Sequence, residues 1–64
     1  MKYKVISRIT REEVSPKTMS GILDAGGNSW NFMLLPSGGL RLRVHVGSGY
    51  VFFPIDDTCE AVAL

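Results

Sequence analysis

The sequence predicts a mostly β domain: a small five-stranded antiparallel meander or SH3-like barrel with at most one short helical turn. Three observations predict it. Glycine clusters separate the later apolar runs, and glycine supplies the positive φ angles that short hairpin loops demand. Leu40–Val46 alternates aliphatic and basic residues with the period of two of a half-buried strand. A long connection follows the first strand, as in SH3-like chains.

Each element has its own reason. Tyr3, Val5 and Ile9 occupy one face of a first strand, and Lys2, Lys4 and Arg8 surround Ile6 on the other. Thr10-Arg11-Glu12-Glu13 has the spacing of a capping box. Pro16 is expected to stop any helix within about one turn, leaving a loop. Thr18–Asp24 reads as a second strand, with Gly21 marking a bulge. Turns at Ala25–Asn28, Pro36–Gly39 and Gly47–Gly49 delimit strands at Ser29–Leu35, Leu40–Val46 and Tyr50–Ile55. In Leu40–Val46 the apolar residues face inward and Arg41, Arg43 and His45 outward; a one-residue slip would bury every arginine. The tail admits two readings. Asp57 and Glu60 suit the start of a helix, whereas Ala61–Leu64, after a turn at Asp56-Asp57, pairs with the first strand. The closing strand is favoured.

Residues 1–64 form a single small β domain, near the lower size limit for independent folding. Small folds are commonly stapled by a disulfide, a metal or a partner chain. The single cysteine, Cys59, excludes an internal disulfide, so packing or self-association is expected to compensate. The strands flanking Leu40–Val46 are apolar on both faces, more than so short a chain can bury. A homo-oligomer follows as an expectation. No secretory leader is visible and no apolar run approaches the ~20 residues of a membrane span, so a soluble, cytoplasmic protein with no membrane partner is expected. The net charge of +1 is too small for bulk attraction to polyanions.

Catalytic and metal chemistry find little support. Cys59 and His45 are the only residues of their kinds, and no local signature supplies a base within reach or an oxyanion site. The simpler reading makes Cys59 a small core residue and His45 a solvent-facing strand residue. No CxxC or HxxxH occurs, so neither a metal nor a cofactor is expected. The glycine turns lack the helix and Lys-Ser/Thr of a phosphate-binding loop; Gly47-Ser48-Gly49 offers at most a backbone nest for an anion.

Binding is the better reading. The leading expectation is a non-enzymatic protein-binding module, a small regulator or inhibitor that occupies a partner's surface through Trp30, Tyr50, Arg41 and Arg43. These are residue types enriched in interface hot spots; Trp30 has an equal claim to the centre of the core. Compact regulators of this size occur in phage and mobile elements, a source expected from size alone. One alternative is a nucleic-acid-binding small β-barrel in which Lys2, Lys4, Arg8, Arg41, Arg43 and His45 converge beside stacking aromatics. A second alternative is an oligomeric binder of a small anionic ligand held between copies.

Overall fold

The computed structural model describes residues 2–64. Among these, the elements run β1 (Tyr3–Ser7), α1 (Pro16–Ile22), β2 (Asn28–Leu34), β3 (Leu40–Val46), β4 (Gly49–Pro54) and β5 (Cys59–Ala63). The fold is mostly β, with five antiparallel strands in two sheets. β2, β3 and β4 form a three-stranded meander, and β5 returns to pair with β1, Val5 opposite Ala61. The closing strand of the tail is therefore present, and no helix forms there.

The meander is built by its turns. Gly47 has φ 60° while Ser48 does not enter the positive region, the pattern of a two-residue type II′ hairpin with glycine first. At the other end of β3, the Leu35 N–H bonds to the Gly39 carbonyl and the Gly38 N–H to the Leu35 carbonyl. These bonds close a turn in which Pro36 takes the position its fixed φ suits. Gly27 is demanded by proximity: a Cβ there would lie 2.6 Å from the His45 carbonyl and 2.8 Å from a Val44 methyl.

The core lies between the two sheets and α1. Val5, Met19, Leu40, Leu42, Val44, Ile55 and Cys59 are buried together. Direct pairing across β3 puts Trp30, Phe32 and Leu34 on this inner face beside Val44, Leu42 and Leu40, and Phe53 joins them from β4. The register read from the alternation of β3 is correct.

Two expectations about the first third of the chain are corrected. Thr18–Asp24 is not a strand; Pro16–Ile22 is a helix. Pro16 starts this helix instead of stopping one. Ser15 is the N-cap, its Oγ accepting from the Thr18 N–H at 3.1 Å, and proline at the first helical position forfeits an N–H that had no partner anyway. Met19 and Leu23, four residues apart, then turn to the core. The capping box at Thr10 caps nothing. Arg11 is left-handed, with φ 64°, and the loop folds back along β1 through Ser7 N–H to the Glu12 carbonyl and Val14 N–H to the Val5 carbonyl. β1 consequently ends at Ser7, so Ile9 is exposed in the loop while Ile6 is buried.

Candidate functional site, the outer face of the three-stranded sheet

The alternation that buries Leu40, Leu42 and Val44 turns Arg41, Arg43 and His45 outward on β3. Cross-strand pairing brings Phe52 beside Arg43 and Tyr50 beside His45 from β4, and Asn31 and Met33 beside Arg43 and Arg41 from β2. Tyr50 and Phe52 are 54% and 48% exposed. No second layer covers this face among the described residues.

The face is held in place by contacts within it. The Arg43 guanidinium lies 4.8 Å from the centre of the Tyr50 ring, within reach of a cation–π attraction. The His45 ring meets Tyr50 edge-on at 5.2 Å, and its Nδ1 lies 3.1 Å from Asn28 Oδ1. Arg43 Nε is buried and has no hydrogen-bond partner among the described residues. Arg41 is engaged at the margin: its guanidinium donates to Asp56 Oδ2 at 2.6 Å and to the Leu40 carbonyl at 2.9 Å. The other Asp56 oxygen accepts the Leu40 N–H at 2.6 Å. That backbone bond, followed by Arg41, holds the Asp56 carboxyl below its usual range against the opposing effect of partial desolvation.

Three of the four residues singled out for protein contact thus share one surface: Tyr50, Arg41 and Arg43. Trp30 does not join them. It lies on the inner face, packed against the core, with its indole N–H lacking an acceptor. Phe52 takes the aromatic position on the outer face. The period of two places Phe52 in step with Tyr50, so alternation alone is the signal that finds this second aromatic.

The six basic groups do not form one patch. Lys4 belongs to β1 in the other sheet, and Lys2 precedes it. Arg8 donates from Nε to the Asp56 carbonyl at 2.7 Å and pairs with Glu60 at 2.8 Å, and Glu60 also holds Arg11 at 2.7 Å. A concavity of about 350 Å³ beside this cluster is lined in part by Arg8, Asp56, Cys59 and Glu60. Its arginine is thus already neutralised.

Cys59 is buried, with Sγ 3.8 Å from Met19 Sδ. His45 lies across the sheet on the outer face, so the two do not meet. No group of three or more His, Cys, Asp or Glu side chains among the described residues is arranged to hold a metal. No helix among them is long and apolar enough to cross a membrane. Comparison with family models, with curated proteins and with solved structures finds no match.

Proposed function

We propose that this chain is a non-enzymatic protein-binding module. It acts as a small regulator or inhibitor by laying the outer face of β2–β3–β4 over a partner protein, and it works as a homo-oligomer. The observation that carries this reading is the pair of half-exposed aromatic rings, Tyr50 and Phe52, beside an arginine that stacks on one of them and pairs with no carboxylate among the described residues. Aromatic and arginine side chains dominate interface hot spots. Here they stand on a hydrogen-bonded sheet, so docking costs little ordering entropy.

The charge layout disfavours the nucleic-acid alternative. Among the six groups that reading required, Arg8 and Arg41 are paired with acids, and Lys2 and Lys4 lie off the face. The test is a capture experiment from the native host with nuclease-treated controls, run with wild type and with a Tyr50→Ala/Phe52→Ala double variant. A protein retained after nuclease treatment, and bound roughly 30-fold or more weakly by the double variant, is the expected result. A cooperative melt within a few degrees of wild type, the loss expected from the Tyr50 contacts alone, shows that the fold is not at issue. Undiminished capture by the double variant would sink the proposal. Nuclease-sensitive capture with a steep log-log salt dependence would move the assignment to nucleic acid.

A further inference from the structure

The meander has two edges, and they are finished differently. β2 is interrupted by a bulge between Asn28 and Trp30, with Ser29 at φ 61°, a device that spoils an edge for further pairing. β4 has no such bulge, no charged residue and no strand on its far side among the described residues; its one blunting feature is Pro54 at the C-terminal end, which leaves the stretch from Tyr50 to Phe52 open. Its exposed residues include Tyr50, Val51 and Phe52. An uncharged apolar edge of this kind invites another strand.

The ladder of β3 and β4 shows which backbone groups are free. In a two-residue hairpin the residues flanking the loop, Val46 and Gly49, form a hydrogen-bonded pair, and such pairs recur at every second residue. Val44–Val51 and Leu42–Phe53 are therefore bonded pairs. The intervening His45–Tyr50, Arg43–Phe52 and Arg41–Pro54 are not. Pro54, which has no N–H, fits this phase, as does the bond from Ile55 N–H to the Leu40 carbonyl. The N–H and C=O groups of Tyr50 and Phe52 consequently point away from the sheet.

We propose that β4 pairs antiparallel with β4 of a second copy about a two-fold axis at Val51, joining two meanders into one continuous sheet. This register sets Tyr50 opposite Phe52 of the other copy and Val51 opposite its own counterpart. Every outward N–H and C=O of Tyr50 and Phe52 then finds a partner. Pro54 removes the nearest competitor: an axis at Phe52 would put Tyr50 opposite Pro54, whose missing N–H leaves a Tyr50 carbonyl unmet in each copy. Gly49, beside which a Cβ would meet nothing, leaves room for Phe53 of the other copy on the inner face. The short row of free groups is its own complement, and the neutral strand brings no like charges together. A second copy meets both conditions without any other partner, since every molecule carries the same neutral row at matching spacing.

Lateral contact between Tyr50 and Phe52 of the two copies covers only part of each ring, roughly a third of the 150–250 Å² of a whole aromatic side chain, and leaves the outward ring faces open. With the paired backbone added, that is the size of a weak, exchanging interface. The proposal specifies the geometry of the oligomer in the functional reading above and rests on that part alone. Partner capture through the outer face can fail while it stands.

Cysteine cross-linking tests the register, with oxidised glutathione accepting the two thiol hydrogens. In the proposed pairing the Val51 residues form a non-hydrogen-bonded pair with Cα atoms about 4.5 Å apart, inside the disulfide range of about 4.4–6.8 Å. Val51→Cys is expected to cross-link to itself. Tyr50→Cys and Phe52→Cys are each expected to stay uncrosslinked alone and to link when mixed. The buried Cys59 serves as the internal control for random oxidation. Sedimentation of wild type from about 10 μM to 1 mM is expected to show a concentration-dependent dimer. Monomer throughout that range, or self-linking of Phe52→Cys with Val51→Cys silent, would overturn the proposal.

Discussion

The two faces of the three-stranded sheet are made by the same residues taken alternately, yet they are finished in opposite ways. Inside, Leu40, Leu42 and Val44 are at most 2% exposed and lie under α1 and the β1–β5 pair. Outside, Tyr50 and Phe52 stand half in solvent beside Arg43. Packing that makes the domain fold lies almost wholly on the first face, so the second is free of that duty. The proposed docking surface rests on these exposed aromatics.

The sharpest way to break this contrast is to charge the inner face. Val44→Asp would bury an unpaired carboxylate at a position with no exposure, a change costing about 3–5 kcal/mol by the standard of an uncompensated buried charge. A chain of this length carries only about 3–10 kcal/mol in total. The variant is expected to be largely unfolded by circular dichroism at 25 °C. A cooperative melt close to wild type would show that the inner face does not carry the fold.

How much of this contrast could be read from the chain depends on how local its cause is. The register of β3 was legible because Leu40-Arg41-Leu42-Arg43-Val44 admits only one inside. The hairpins were legible because Gly47 and Pro36 have few other uses. The helix was not. Met19, Ile22 and Leu23 fit a strand and a short helix about equally, and Ser15-Pro16 can end a helix that precedes it or begin one that follows. Ile6, placed among charged residues, is buried because the 8–14 loop folds back over β1, a long-range event with no local signal. On the outer face, Tyr50 and Arg43 were legible from alternation. The inward placement of Trp30 is not legible locally, because its strand is apolar on both faces and only the pairing with Val44 decides.

A subtler test concerns the residue that joins the two faces. Asp56 holds the start of β3 through the Leu40 N–H on one side and Arg41 on the other. Its folded pKa lies below the usual 3.8, so its ionised form favours the folded state. That contribution is present above about pH 4 and is lost as pH falls through the lowered folded value. Asp56→Asn keeps a carbonyl for Leu40 but gives up the charge. Wild type is expected to melt higher than this variant at pH 7, with the gap shrinking as pH falls through the lowered folded value. A gap that does not change with pH would mean the carboxylate charge contributes nothing at this junction.

The smallest expected effect is the most informative about division of labour. Arg43→Glu reverses a charge on the outer face, one residue away from the position where Val44→Asp is expected to unfold the chain. Its fold cost should come from the stacking of the half-buried guanidinium on Tyr50, about 1 kcal/mol, since the buried Nε has no hydrogen-bond partner to lose among the described residues. The glutamate meets no carboxylate across the ladder, since its neighbours there are Asn31 and Phe52. Thermal melting should therefore shift by only a few degrees, while binding of any partner that uses this face should fall far more. Comparable losses in the two measurements would mean that Arg43 serves the fold, and that the outer face is a second structural surface.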